Sequence, residues 1–443
     1  MSATATTEKK YLKWYQKLAY GSGDLASNCS YGLVSSFVLL YLTGTLGLDS
    51  AIIGSLMLAS KVLDGISDVI FGTLIDRTHS KLGKARPWML FGQVGVSLCL
   101  FLLFAIPAGS TTMQYIYFFI VYTALNAVFY TANGIAYSSL VALITKNNNE
   151  RVQLGSFRFM FAVVTNIFMG FAVTGMVEKF GSGAAGWRTT ALIFAIVGLV
   201  VNTISCLAVK ELPEEELSGN TSEAAEEGKA VAEEKKHGFA ETAKILVHNK
   251  YYLMILAIYI VYYIMSNLTT GAGVFCATYY WGDGSLLGQF SMMKMFPVII
   301  ALAIAPVLIK KTGSMQKVNF WGYAISSVLG IPMIYFAMQK NISMFLLFMF
   351  IKGIFAGTLS GSLNALIAEA SGYTTRTTGV HMDGMMYSCS SLGVKVGGGI
   401  GTAAVGWLLK LGGFVGTATV QSESAIRMIF NLYITFPFVI GII

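Results

Sequence analysis

The chain has 443 residues, of which 55% are hydrophobic and only 12% charged, with a net charge of +8 and a mean hydropathy of +0.65. Soluble domains carry about a quarter charged residues, so this composition excludes an ordinary soluble enzyme or binding module. The basic residues lie in short stretches between apolar runs, the pattern of membrane topology signals, which argues against nucleic acid as the reason for the pI near 9.0.

Apolar windows of about 20 residues, the length that crosses hydrocarbon as a helix, recur along the chain and predict about twelve spans. Residues 1–7 are polar and lack a charged-then-apolar leader, so the first span is expected to direct insertion. The first six spans cover approximately 23–46, 51–75, 88–106, 115–144, 153–177 and 189–209. The second six cover approximately 251–280, 286–308, 320–338, 344–368, 380–411 and 425–443. The chain stops inside the last span without a polar tail, as a shortened chain would.

In the first span Asp24 and Asn28 stand one turn apart. In the second, Lys61, Asp64 and Asp68 share one helix face. A charge in an apolar span costs about 3 kcal/mol on insertion scales, so each needs a partner or a job. Two carboxylates with nearby hydroxyls or amides form an oxygen cage suited to a small hard cation or a proton. A structural Lys–Asp pair is the plainer alternative, but one lysine cannot neutralise two aspartates. The fifth span places Arg158 between Phe157 and Phe159.

Residues 210–250 differ in composition, with acidic runs at Glu214–Glu216, Glu226–Glu227 and Glu233–Glu234. They cannot bury enough apolar area to order a core and are expected to form a solvated linker. Six spans, a charged linker and six spans is the layout of the major facilitator fold. The expected architecture is an all-α membrane protein with twelve transmembrane helices in two six-helix bundles. The first bundle takes residues 1–209, the cytoplasmic linker 210–250 and the second bundle 251–443. Lys and Arg concentrate in one set of loops, including Arg77, Lys81, Lys84, Arg86, Lys310, Lys311 and Lys317, whereas the opposite set holds Lys179, Arg188 and Lys340. The first set, with both termini and the linker, is expected in the cytoplasm. The basic loops after the second and eighth spans echo each other, as an internal repeat would.

In the second half, Lys294 is read as snorkelling and Lys352 as pairing inside a bundle. Glu369 and Asp383 flank the loop before the eleventh span, either as a gate or as solvated ends, and His381 is read as a surface or capping residue. The eleventh span carries Ser390, Ser391 and Lys395, followed by Gly397, Gly398, Gly399 and Gly401, which permit close helix approach or local unwinding. Cationic groups such as Arg158 and Lys395, where they face a cavity, can donate hydrogen bonds to sugar hydroxyls or pair with the Asp cluster, and otherwise act as interhelical glue. With the Asp24 and Asp64 groups they point to a polar cavity near the midplane. Tyr31, Tyr137, Tyr280, Trp281 and Tyr387 are candidates to stack on a pyranose face. Cys29, Cys99, Cys206, Cys276 and Cys389 lack metal-ligand spacing and are expected as free thiols.

Several of these residues sit in motifs. The run Lys17-Leu18-Ala19-Tyr20-Gly21-Ser22-Gly23-Asp24 resembles the opening of the glycoside–pentoside–hexuronide:cation symporter family. Asp64-Gly65-Ile66-Ser67-Asp68 resembles its D-x-x-x-D helix, and Gly83-Lys84-Ala85-Arg86-Pro87-Trp88 its G-K-x-[KR]-P-[WF] loop. Thr378-Gly379-Val380 to Asp383-Gly384 and Tyr387-Ser388 are similar to its [TN]-G-[IV]-R-x-[ED]-[GS] stretch and eleventh helix. The likeness runs from about Lys17 to the C-terminus. It implies a cation site at Asp64, Asp68 and Thr131, and cationic sugar-site residues at Arg158 and Lys395. The sugar-binding Asp of the family's first helix aligns with Asn28. The family's fourth-helix acid is replaced by Asn133, which joins the expected cation site. Ser138 and Ser360 stand where tryptophans occur, and His381 where an Arg is usual.

The expected function is therefore import of a sugar or glycoside by symport with Na⁺ or H⁺. The cation site is Asp64, Asp68, Thr131 and Asn133. The sugar site is Asp24, Asn28, Tyr31, Arg158, Ser390, Ser391 and Lys395. No cofactor, nucleic acid or enzymatic activity is expected, and the protein is read as a monomer in the bacterial inner membrane. The alternatives are a lysolipid-type cation symporter of the same fold and a non-transporting membrane sensor.

Overall fold

The computed structural model describes residues 9–213, 249–378, 386, 390–418 and 420–442. They form helices connected by short loops. In chain order these are α1 (Trp14–Thr45), α2 (Ser50–Asp76), α3 (Arg86–Leu103), α4 (Thr111–Ile144), α5 (Asn148–Lys179) and α6 (Gly183–Leu207). They continue as α7 (Lys250–Trp281), α8 (Leu286–Thr312), α9 (Met315–Met338), α10 (Ile342–Thr378), α11 (Ser390–Leu411) and α12 (Glu423–Ile440). Among the described residues, 11 helices are long and apolar enough to cross a membrane. The second expected span, α2, forms a 27-residue helix but is not among those 11. The acidic runs of the expected linker, with His381, Asp383, Tyr387 and Cys389, lie outside the described residues.

The chain divides into two compact units. The first holds residues 1–38, 59–169 and 175–227, and the second holds 39–58, 170–174 and 228–443. In both, helices approach through small residues, as expected where lipid tails are as apolar as the side chains and close backbone contact must drive association.

In the first unit a Cβ at Gly95 on α3 would stand 2.1 Å from the Phe129 ring of α4. Ser97 donates from Oγ to the Ala195 carbonyl of α6 at 2.9 Å. The start of α3 is built by Glu211, whose carboxylate accepts from the backbone amides of Lys84, Ala85 and Arg86 at 2.7, 3.0 and 3.0 Å. A carboxylate suits the positive end of a helix, and Pro87 fits its first turn because no amide hydrogen is missed there. Gly83 has φ +110° and a Cβ there would collide with the Glu211 carboxylate, which accounts for the glycine that opens the Gly83-Lys84-Ala85-Arg86 loop. The opening motif is also explained by packing. Tyr20 donates to the Tyr137 carbonyl at 2.5 Å, and Tyr137 returns a bond to the Tyr20 carbonyl at 2.8 Å. A Cβ at Gly21 would meet Phe157, and one at Gly23 the Tyr137 ring.

In the second unit the close helix approach expected of the α11 glycines is found. Gly393, Gly397 and Gly401, spaced by four, face α7, where added Cβ atoms would lie 2.3 Å from Tyr259 Cβ and 2.4 and 2.5 Å from the Ile260 and Ile264 carbonyl oxygens. Local irregularity occurs there too, because residues 393–397 form a π-helical turn. Near the start of α2, Asp49 pairs with Lys410 at 2.6 Å. Partial burial pushes the Asp49 carboxyl up, but the Lys410 bond and the amides of Ala51 and Ile52 hold it below the usual carboxylate range. The four described cysteines, Cys29, Cys99, Cys206 and Cys276, are buried free thiols.

Candidate functional site

The face expected on α2 is present in the first unit. At about 100° per residue, Lys61, Asp64 and Asp68 fall within roughly 60° of one another. Val62, Ile66, Val69 and Ile70 take the opposite face and are all exposed, where lipid would cover them. Asp64 is 9% exposed and Asp68 half-buried. Lys61 Nζ lies 3.5 Å from Asp64 Oδ2 and 5.8 Å from the centre of the Tyr31 ring.

The fourth helix supplies the other wall. Residues 124–130 form a π-helical stretch, and Thr131 follows it directly. Thr131 Oγ1 stands 2.6 Å from Asp64 Oδ1 and 2.9 Å from the Asn126 carbonyl. A carboxylate oxygen, a hydroxyl and a carbonyl thus converge, all hard donors suited to a proton or an alkali cation. Among the described residues no group of three or more His, Cys, Asp or Glu side chains could hold a metal ion.

Asn133 does not join this group. Its amide nitrogen reaches the Met89 carbonyl at 2.9 Å and Gln93 Oε1 at 3.2 Å, inside the α3–α4 packing, and the residue is 2% exposed. Two residues on a helix are about 200° apart, so Thr131 and Asn133 cannot both face α2.

The expected sugar residues of α1 form a second polar strip. Arg158 Nε donates to Asp24 Oδ2 at 2.6 Å, with side chains 25% and 17% exposed. The guanidinium lies over the Tyr137 ring at 4.2 Å, a cation–π contact that fixes its plane. Asn28 donates to the Asp24 carbonyl at 2.7 Å and accepts from Asn166 at 2.9 Å. Tyr31 stacks on Tyr130 with ring centres 5.4 Å apart. Tyr137 is buried beneath Arg158 and so is not a platform for a sugar ring. Tyr280 and Trp281 pack at the end of α7, where Tyr280 donates to the Ala337 carbonyl at 2.8 Å. Ser390, Ser391 and Lys395 belong to α11 in the second unit, with Ser390 and Lys395 half-buried and Ser391 exposed.

Asn126, Asn166 and Tyr130 were not singled out from the sequence. Asn166 carried one readable signal, since it lies eight residues beyond Arg158 and therefore close to the same helix face. Lys294 does not snorkel but reaches the Thr269 and Thr270 hydroxyls at 3.4 and 3.2 Å. Lys352 shows no ion pair among the described residues. Glu369 accepts from Gln316 at 2.5 Å.

Long apolar helices in two units, with charged groups turned inward on α1, α2 and α5, define a multi-pass membrane transporter of the major facilitator class. Solved structures of that class share the fold. A bacterial homologue of the human lysosomal transporter Spinster superposes with a TM-score of 0.68 at 13% identity, covering 96% of each chain. The nucleoside transporter NupG gives 0.61 at 13% identity, over 96% of this chain and 97% of the other. A family model described as MFS/sugar transport protein matches residues 19–443. The chain belongs to that family, among the glycoside–pentoside–hexuronide symporters, and is a transporter rather than an enzyme. It is 26% identical to the isoprimeverose transporter of Lactiplantibacillus pentosus, over 97% of this chain and 87% of that protein. It is 24% identical to the putative glycoside/cation symporter YagG of Escherichia coli, over 96% and 88%. The glucuronide carrier protein homolog of the same organism is 23% identical over 91% and 85%.

Proposed function

We propose that this transporter imports a sugar or glycoside by alternating access, coupled to an inward-moving Na⁺ or H⁺ held at Asp64. The observation that carries the reading is the position of Thr131 between two acceptors, Asp64 Oδ1 and the Asn126 carbonyl. One hydroxyl hydrogen serves one of them at a time. A proton on Asp64, or a hard cation against it, resolves the conflict. The hydroxyl then donates to Asn126 and accepts from, or ligates, the newcomer. Lys61 supplies the local positive charge until then, and the arriving cation displaces it from Asp64. Asp68, on the same face, completes the acidic group.

Sugar recognition is assigned to Asp24, Asn28 and Arg158, with Tyr31 and Tyr130 as the apolar wall. A guanidinium has five N–H donors, of which Asp24 takes one, leaving others for sugar hydroxyls. Ser390, Ser391 and Lys395 are assigned as second-unit contributors. The transporter is read as a monomer in a bacterial cytoplasmic membrane with both termini inside. One charge falling through about 100 mV yields about 2.3 kcal/mol. At about 1.4 kcal/mol per tenfold, this sustains roughly 40-fold accumulation with one cation per sugar.

The test is uptake of labelled isoprimeverose and a labelled glucuronide into proteoliposomes, with an inward Na⁺ gradient, a proton gradient, or neither. Concentrative uptake of a sugar under one gradient supports the reading. Uptake that only equilibrates under every condition contradicts it.

A further inference from the structure

Inside the second unit lies a cavity of about 200 Å³, separate from the Asp24 and Asp64 groups and lined entirely by residues of α7, α8, α9, α10 and α12. Its walls are mostly apolar, with Met265, Met293, Met333, Met349 and Phe345 among them. Two lysines enter it, Lys294 from α8 and Lys352 from α10. They stand on touching segments of the two helices. A Cβ at Gly353, next to Lys352, would lie 2.8 Å from Pro297 and 3.6 Å from the Met293 carbonyl, next to Lys294.

The charge in this cavity is uncompensated among the described residues. Lys294 has only two threonine hydroxyls, and Lys352 makes neither a hydrogen bond nor an ion pair there. The described acids of this unit are engaged elsewhere. Asp49 pairs with Lys410, Glu423 with Arg427, Glu369 accepts from Gln316, and Asp283 accepts from the Ser285 amide. Tyr323 and Tyr433 also line the cavity, and neither hydroxyl has a hydrogen-bond partner among the described residues. Ammonium groups held in apolar surroundings are costly unless an anion or a strong acceptor meets them.

We propose that this cavity is a binding site for a small amphiphilic organic anion. Its carboxylate or sulfonate sits between Lys294 and Lys352, and its apolar body rests among the methionines and Phe345. Tyr323 and Tyr433 donate to the remaining anion oxygens. The volume lies below the roughly 300–1,000 Å³ of sites for drug-sized ligands, so the occupant is fragment-sized. Methionine-rich walls adapt to differing apolar shapes, which suits a class of ligands rather than one. The site stands independently of the sugar and cation assignments, because none of its residues belongs to them.

The experiment is isothermal titration of the purified full-length chain in detergent at fixed ionic strength. The probes are benzoate and benzenesulfonate, with benzamide as neutral counterpart and sulfate as free inorganic anion. Benzoate or benzenesulfonate is expected to bind saturably, and benzamide and sulfate at least tenfold more weakly. Lys294→Met and Lys352→Met are each expected to weaken benzoate at least tenfold, and Lys294→Arg to restore most of the affinity. Both Met variants remove a buried ammonium, so thermal unfolding is expected to show them folded. Equal binding of benzamide, or unchanged benzoate binding in folded Met variants, overturns the proposal. Sulfate binding as tightly as benzoate removes the role of the apolar walls and overturns it equally.

Discussion

Asp24 on α1 and Arg158 on α5 meet through a single 2.6 Å contact, and the guanidinium that makes it is clamped against the Tyr137 ring at 4.2 Å. The pair is thus held in one geometry, with the carboxylate fixed by a charge and the charge fixed by an aromatic face. Losing one member strands the other. Asp24→Ala is expected to destabilise the protein by about 3–5 kcal/mol, because it leaves Arg158 uncompensated. The double variant Asp24→Asn/Arg158→Gln is expected to recover most of that stability while binding sugar weakly. Thermal unfolding in detergent and sugar titration of the two variants separate the effects.

Asp64→Asn is expected to abolish concentrative uptake while leaving downhill sugar exchange. The accumulation ratio falls from the roughly 40-fold ceiling to about one. Counterflow and gradient-driven uptake in the same proteoliposomes read both halves of this expectation.

Thr131→Val keeps the side-chain shape and removes the hydroxyl. The buried carboxylate then lacks one ligand, a loss of about 1–3 kcal/mol, or roughly 5- to 150-fold. The cation concentration for half-maximal uptake is expected to rise by that factor, with little change in the maximal rate. Asn133→Ala, by contrast, is expected to lower the unfolding temperature through its lost bonds to Met89 and Gln93, and to leave the cation dependence unchanged.

The glycine ladder of α11 gives a packing prediction. Gly397→Ala places a methyl group 2.4 Å from the Ile260 carbonyl, so α7 and α11 must separate. A loss of about 1–3 kcal/mol is expected from overpacking. Gly372→Ala, with open space around its Cβ, is expected to leave the unfolding temperature within a degree or two.

Much of this architecture was legible in the sequence because the bilayer imposes simple rules. Length and hydropathy located the helices, and the four-residue spacing of Asp64 and Asp68 put both acids on one face. The partners were less legible. Thr131 is reached only through the family resemblance and not through spacing, because nothing in the residue order from 124 to 130 announces the π-helical stretch that precedes it. Asn133 was expected beside the acids, but its offset of two from Thr131 turns it into the α3 packing. Lys294 read as a snorkelling side chain because position along a helix does not reveal a cavity inside the bundle. Glu211 follows α6 far from α3 in sequence, so its role as the cap of the basic loop was hidden.

The coupling cation at Asp64 is tested most directly by reciprocity at equilibrium. Sugar affinity of the purified transporter is measured by titration across a range of Na⁺ concentrations and of pH, in the unaltered chain and in Asp64→Asn. Linkage requires cation and sugar to change each other's affinity by one common factor. The account predicts that sugar affinity rises with one of the two cations in the unaltered chain and is flat in the variant. A variant that keeps the full cation dependence would place the ion elsewhere and contradict it.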